Sequence, residues 1–382
     1  MAGGVRHRPL KRLKTIFAGS LGPEVLIKKK ESEKRVNKAR IRAIASHIPS
    51  GRLTNDELIR RFTGWTAEKM ERKLGIVSRP IIEEGKTPVD MAVSAGENLF
   101  RSGVCAPQDI DFLVLCTQTP DYFLPSSACI IQERLGIPKS CGAFDFNLGC
   151  SGYVYGLGIA KGLLETGLAR NLLLITSEAY SRYINPDDRV SRPLFGDAAT
   201  ATLISADAPE SALPIGPFRF GTDGSGADLL IVKAGAQRMP ATAATKEPKI
   251  DIRGNYHSDE QIQMSGPGIF NFAIDEVPPL ITAIQKDCAD LAKPIDSYIF
   301  HQANNYMLAR LRELCGLENE RYYVNMRERG NTVSSSIPLA IGDALQEDFL
   351  HRGESALLVG FGVGLSWGAC RIELDNDFVL IG

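Results

Sequence analysis

A weak internal duplication is the feature that most limits what this chain can become. The segment Ile110-Asp111-Phe112-Leu113-Val114-Leu115-Cys116 recurs 185 residues on as Ile295-Asp296-Ser297-Tyr298-Ile299-Phe300-His301. At the same offset Leu172-Leu173-Leu174-Ile175 meets Leu357-Leu358-Val359-Gly360, and Cys150 falls opposite Ser335. One register held over three separated segments favours duplication over chance likeness between short apolar runs. Each half reads alike. A helix-like stretch leads to a continuous apolar run suited to a doubly buried strand, then come a turn of small residues, another helix and a second buried strand. This alternation predicts a mainly parallel sheet with helical crossovers. Two copies predict a layered α/β structure with pseudo-twofold symmetry, with residues 39–206 as one half and 207–382 as the other.

The 382 residues are enough for two such halves. Hydrophobic residues at 44% and charged residues at 23% suit a globular protein. A net charge of −1 provides no field for nucleic acid or an anionic membrane, so neither is expected as a partner. No apolar run approaches the roughly 20 residues that cross a bilayer. Residues 1–38 are rich in Lys and Arg and lack the apolar core of a secretory signal. They are read as a basic tail outside the fold, and a cytoplasmic location is expected. None of the eight cysteines lies in a Cys-x-x-Cys pair. Buried, reduced cysteine is expected for all but Cys150, and no metal site or cofactor is expected.

Ligands in open α/β sheets bind beyond the carboxyl ends of the strands. Cys116, Thr176, His301 and Gly360 fall near such ends, and the turns around Cys150 and Ser335 are predicted to face one another. Within Phe144-Asp145-Phe146-Asn147-Leu148-Gly149-Cys150-Ser151-Gly152, the cysteine lies between glycines at the start of a helix predicted over 151–168. A helix N-terminus lowers a thiol pKa and offers amides to an oxyanion. Cys150 taken alone fits a nucleophile and a buried core cysteine equally. His301, in Phe300-His301-Gln302-Ala303-Asn304, is the one histidine of five that ends a predicted strand and opens a helix (306–314). A structural role suits it as well as a chemical one. Asn331, in Gly330-Asn331-Thr332-Val333-Ser334-Ser335-Ser336-Ile337-Pro338, suits a helix cap or a donor to a developing enolate oxygen. Gly360-Phe361-Gly362-Val363-Gly364 lacks the residues of a phosphate loop and is read as a close backbone approach to the site. Jointly, a thiolate can accept an acyl group, while histidine and asparagine donors can hold the oxygen of a second thioester as it decarboxylates.

At these residues the chain resembles the β-ketoacyl-acyl carrier protein synthase III family. The strings His301-Gln302-Ala303-Asn304 and Gly330-Asn331-Thr332 through Ser336-Ile337-Pro338 carry the resemblance. They are supported by Leu124-Pro125-Ser126-Ser127-Ala128-Cys129, Phe195-Gly196-Asp197-Ala198-Ala199 and Phe361-Gly362-Val363-Gly364-Leu365-Ser366-Trp367-Gly368. It covers residues 40–382. It implies the thiolase fold, α/β/α/β/α layers built from two pseudo-twofold halves. It also implies that Cys150 takes an acyl group from an acyl-coenzyme A or acyl-carrier-protein donor. His301 and Asn331 would then assist decarboxylation of malonyl-acyl carrier protein, for fatty-acid or polyketide initiation. The thioester oxyanion would meet the Cys150 amide and the Gly362, Val363 and Gly364 turn. A homodimer is implied, with Leu124 lining the partner's acyl pocket and Phe361 lining the pocket too.

The chain also departs from the family pattern. Lys69 and Lys73 stand where a tryptophan and an arginine of housekeeping members hold coenzyme A. Tyr306 replaces a basic residue used in carrier docking, with Arg310 and Arg312 one and two turns on. Leu124 replaces phenylalanine, and extra length falls around 234–256. Within the fold, Gln118 stands where hydroxymethylglutaryl-coenzyme A synthases carry glutamate. Cys370 does not match the second cysteine of degradative thiolases. An acyltransferase acting on an oxygen or nitrogen nucleophile is the main alternative. A non-catalytic partner subunit is disfavoured by the intact Cys150, His301 and Asn331.

Overall fold

The computed structural model describes residues 38–207, 213–251, 254–291 and 293–382. Of the basic segment 1–38, only Lys38 lies among them.

Two mixed sheets organise these residues. The first is built from β1 (Arg40–His47), β2 (Phe112–Cys116), β3 (Gly142–Phe146), β4 (Asn171–Glu178) and β5 (Ala198–Ser205). The second contains β6 (Phe218–Thr222), β7 (Ser297–Phe300), β8 (Tyr322–Tyr323), β9 (Ser355–Gly362) and β10 (Ser366–Glu373). The last strand, β11 (Val379–Ile381), returns to the edge of the first sheet beside β1. Strand order is β11-β1-β5-β4-β2-β3 in one sheet and β8-β7-β9-β10-β6 in the other. The duplicated runs occupy equivalent places. β2 pairs in parallel with β3 and β4, just as β7 pairs in parallel with β8 and β9.

The expectation of a mainly parallel sheet needs correction. β4 and β5 are antiparallel, as are β9 and β10, and β1 and β6 extend those sheets in antiparallel fashion. The first hairpin takes the long connection 179–197 and the second only Val363-Gly364-Leu365, so the constant offset fails at this point.

Six helices matter for the site: α1 (Ala67–Leu74), α2 (Pro88–Arg101), α3 (Gly152–Glu165), α4 (Gly266–Cys288), α5 (Asn305–Leu314) and α6 (Ser336–Gln346). α2 starts with a capping box between Thr87 and Asp90 and packs on the first sheet, while α4 packs on the second. α3 and α6 each touch both sheets and form the middle layer. Their sequences suit that position. In α6 every residue from Ser336 to Ala344 is buried, so it has no polar face to turn to water. α3 carries Gly156 where a Cβ would lie 2.7 Å from Leu174 Cδ1, and the missing side chain lets helix and sheet close up. The result is the expected α/β/α/β/α layering.

Candidate active site

Cys150 lies just ahead of α3, which runs over 152–165, slightly shorter than expected. The residue is 5% exposed. The two pseudo-equivalent turns do meet. A Cβ on Gly149 would lie 3.3 Å from Val333 Cγ1, and Ser335 Oγ is 2.8 Å from Thr176 Oγ1 at the end of β4. Gly362, at the end of β9, is closer still: a Cβ there would meet Cys150 Cβ at 2.8 Å and Sγ at 2.9 Å.

His301 follows β7 directly and is buried. Its Nδ1 lies 2.7 Å from Ser336 Oγ at the start of α6. Phe361 packs edge-on against the imidazole, with centroids 5.7 Å apart. Burial pushes the imidazole down to about 3, against a weaker opposing contact with the Val333 backbone, so the ring is neutral near pH 7. Asn331 is fixed on both sides. Its N–H donates to Leu194 O and its carbonyl accepts from Gly196 N, each at 2.9 Å. The Val333 amide donates to Asn331 Oδ1 at 2.9 Å, which turns Nδ2 towards His301 Nε2, 3.3 Å away. Val333 itself has φ 54, a left-handed conformation that a β-branched residue rarely adopts. Such strain clusters at functional sites.

Cys150, His301, Asn331, Phe361 and Gly362 line one cavity of about 60 Å³ together with apolar side chains such as Phe195, Leu230 and Met307. At about 10–15 Å³ per water, it holds about four to six water-sized groups.

The electrostatics of Cys150 overturn one expectation. The helix start was expected to lower the thiol pKa; instead burial, and then the nearby Glu178, push it up to about 12. Amides of Cys150 and Val363 hydrogen-bond the sulfur and act the other way, but more weakly. Glu178, buried at the end of β4, accepts from the Gln118 amide (3.1 Å), Thr119 Oγ1 (3.3 Å) and Ser334 Oγ (2.9 Å). Burial pushes its carboxyl up to about 8. The sequence did not single out Glu178 or Ser336, although Ser336 stands inside the string that contains Asn331.

The other named residues lie outside the small cavity. Leu124 is 83% exposed beside Tyr122 and Phe123. Lys69 and Lys73 place their ammonium groups 5.5 and 5.3 Å from the Trp65 ring centroid. Arg310 pairs with Glu313, and Arg312 donates to Asn319 Oδ1. Cys129 is exposed, and Cys105, Cys141 and Cys315 are half-buried, so burial of all the remaining cysteines was not the outcome. All eight are free thiols. No helix among the described residues is long and apolar enough to cross a membrane.

Five alternating helical and sheet layers, with Cys150, His301 and Asn331 brought to one cavity between the two sheets, define a thiolase-type fold. Residues 144–224 match the family described as 3-Oxoacyl-[acyl-carrier-protein (ACP)] synthase III, and residues 291–374 match its C-terminal part. The Streptomyces coelicolor protein β-ketoacyl-[acyl-carrier-protein] synthase III 3 is 35% identical over 86% of this chain and 95% of its own length. A crystal structure of a 3-oxoacyl-(acyl-carrier-protein) synthase III superposes with a TM-score of 0.85 at 45% identity, covering 88% of this chain and 99% of that one. The priming β-ketosynthase of the R1128 polyketide pathway superposes with a TM-score of 0.74 at 26% identity, covering 89% and 97%. The chain belongs to the β-ketoacyl-acyl carrier protein synthase III family. It is a condensing enzyme of the acyltransferase type, for fatty-acid or polyketide initiation.

Proposed function

We propose that Cys150 is the acyl-accepting nucleophile and that His301 and Asn331 drive decarboxylation of a malonyl thioester. One observation carries this reading: the side-chain nitrogens of His301 and Asn331 converge to 3.3 Å on the wall of the cavity that contains Cys150. When the Ser336 hydroxyl donates to Nδ1, Nε2 carries the imidazole proton; Nε2–H and the Asn331 Nδ2 hydrogen not directed at Ala303 O (3.5 Å) can then donate to one thioester oxygen. A neutral imidazole suits that role, since its N–H donates a hydrogen bond yet is too weak an acid to protonate the enolate.

The Cys150 thiol gives its proton to the departing thiolate of an acyl-coenzyme A or acyl-carrier-protein donor as its sulfur takes the acyl carbon. Malonyl-acyl carrier protein then enters with its thioester oxygen between His301 and Asn331. The bond to the carboxylate breaks, carbon dioxide leaves, and the electron pair is held as an enolate by the two donors. The enolate carbon attacks the Cys150 thioester, whose oxygen meets the amides of Cys150 and of the Gly362, Val363 and Gly364 turn. The Cys150 thiolate leaves and regains a proton.

Lys69, Lys73 and Arg310 are exposed and Arg312 is half-buried; all four are cations suited to the phosphates of coenzyme A or the acidic surface of a carrier protein. The contiguous exposed side chains Tyr122, Phe123 and Leu124 support a homodimer that covers them, with Leu124 reaching the partner's acyl pocket. The mirrored strand orders support residues 39–206 and 207–382 as the two duplicated halves. The reaction is assigned to the cytoplasm, where its thioester donors are made.

Intact-protein mass spectrometry against a panel of acyl-coenzyme A and acyl-carrier-protein donors tests the first step. The expected result is an adduct that disappears in Cys150→Ala. Carbon dioxide release from malonyl-acyl carrier protein tests the second. Acylation without carbon dioxide release would move the protein to transfer onto an oxygen or nitrogen nucleophile.

A further inference from the structure

A second, more open cavity of about 510 Å³ shares a wall with the first. Leu230 lines both, and Val363 lines the larger while its neighbour Gly362 lines the smaller. A Cβ on Gly149, the residue before Cys150, would lie 2.5 Å from Gln118 Oε1 and 2.7 Å from Val363 Cγ1, both chamber residues. The chamber therefore begins one residue beyond the nucleophile, with Leu230 as the shared wall.

The extra length around 234–256 explains the far side. Asn255 Nδ2 donates to Asp188 Oδ1 at 2.9 Å, and the Arg189 amide donates to Asn255 Oδ1 at 2.7 Å. Ile262 N donates to Tyr183 O at 2.8 Å. These contacts tie residues 255–262 to the 183–191 loop, and Ala234 from the start of the extra length and Glu260 just after it reach the chamber wall.

The chamber lining is not that of a plain alkyl pocket. Gln118 is already spent on its neighbours: Nε2 donates to Asn147 Oδ1 and Oε1 accepts from Tyr180 OH. Three groups keep hydrogen-bonding capacity. Asn147 Nδ2 and Tyr183 OH can donate, and Glu260, whose Oε1 accepts from Thr245 Oγ1, has a second oxygen. Donors and an acceptor on the walls of one mixed polar and apolar chamber are matched by a hydroxyl, which accepts from the amide or phenol and donates to the carboxylate. An alkyl end would desolvate all three without replacing their water contacts.

We propose that the acyl donor of this enzyme is a medium-length acyl chain carrying a hydroxyl at or near its far end. The thioester carbonyl stays at Cys150, the chain passes Leu230, and the hydroxyl lies among Asn147, Tyr183 and Glu260. This rests on the assignment of Cys150 as acyl acceptor. Loading moves the acyl carbon from the coenzyme A sulfur to Cys150 Sγ, and the thiol proton leaves with coenzyme A.

The test compares coenzyme A thioesters of six, eight and ten carbons in three forms: plain, with a terminal hydroxyl, and with a terminal amine. The rate of Cys150 acylation is followed by intact mass on the full chain. The hydroxyl form of one length is expected to load about tenfold faster than its plain counterpart. Glu260→Gln and Tyr183→Phe, assayed separately, are each expected to reduce that ratio, which is read within each variant and so does not depend on its overall loading rate. Plain chains loading as fast as hydroxylated ones, a preference for the amine alone, or a hydroxyl preference that neither variant reduces would each overturn the proposal. Those outcomes leave Cys150 as acyl acceptor. An adduct with none of the thioesters would instead overturn the assignment beneath it.

Discussion

Gly362 approaches Cys150 so closely that a Cβ added to it would lie 2.9 Å from the sulfur. The contact joins the end of β9 to the turn before α3, so the proposed nucleophile is held from the second sheet as well as from its own turn. Gly362→Ala is expected to fold with a loss of about 1–3 kcal/mol, the usual cost of overpacking. Acylation of Cys150 is expected to fall by more than that stability loss explains, because the displaced sulfur leaves the Val363 amide. Thermal unfolding and intact mass separate the two effects. An alanine variant that loads like the wild type would remove the close approach from the mechanism.

In the proposed reaction His301 and Asn331 act after acylation, so their loss is expected to divide the two steps. His301→Ala and Asn331→Ala should each slow carbon dioxide release from malonyl-acyl carrier protein by about 10²–10³-fold, the range for losing one donor to a developing oxyanion. Acyl adducts on Cys150 should still form. Equal losses in both steps would show that the pair supports the fold of the site instead of the enolate.

Ser336 holds the ring that His301 uses. Removing the hydroxyl in Ser336→Ala leaves Nδ1 without its partner, and the imidazole is then free to place its proton on either nitrogen. Decarboxylation is expected to fall by about ten- to a hundredfold, with less effect in Ser336→Thr, which keeps the hydroxyl. A threonine variant as impaired as the alanine one would argue against the hydrogen bond.

Glu178 makes stability depend on pH. Its carboxyl is raised from 4.5 to about 8 by burial, so folding favours the protonated form. That contribution is complete below about pH 4.5 and is lost as pH rises towards 8. At about 1.4 kcal/mol per pKa unit the loss is at most about 5 kcal/mol. Glu178→Gln keeps an acceptor for Ser334 and cannot ionise. Its melting temperature should therefore fall less than the wild type's between pH 5 and pH 8. Parallel profiles for the two proteins would place the titrating group elsewhere.

Much of this site can be read from the sequence because its parts sit on the repeat. Phe112–Cys116 and Ser297–Phe300 stand out as continuous apolar runs, as do the central strands Asn171–Glu178 and Ser355–Gly362. Cys150, His301 and Asn331 all fall at their ends or in the facing turns. The antiparallel partners are harder to see. Ala198–Ser205 is buried along its whole length but made of Ala and Thr with few large apolar residues, so its periodicity is weak. Ser336 was hidden for another reason: a serine opening a helix looks like a cap, and only the fold brings it 2.7 Å from His301 Nδ1. The Cys150 pKa was misjudged because a helix end is visible in sequence, while burial and a carboxylate from another strand are not.

The raised thiol pKa gives the free enzyme a distinct reactivity profile. With Cys150 near 12, its thiolate fraction at neutral pH is tiny and grows tenfold for each unit of pH until that value is approached. Alkylation of Cys150 by iodoacetamide, followed by intact mass and peptide mapping, should therefore accelerate without a plateau from pH 7 to 9.5. Exposed Cys129 serves as the internal comparison. Glu178→Gln removes the nearby negative charge that adds to the effect of burial, so Cys150 should react faster than in the wild type at every pH where the Glu178 carboxyl is ionised, above about pH 8. A plateau beginning near pH 7 would mean that the amides of Cys150 and Val363 outweigh burial. The thiol would then be poised as the helix start alone suggests.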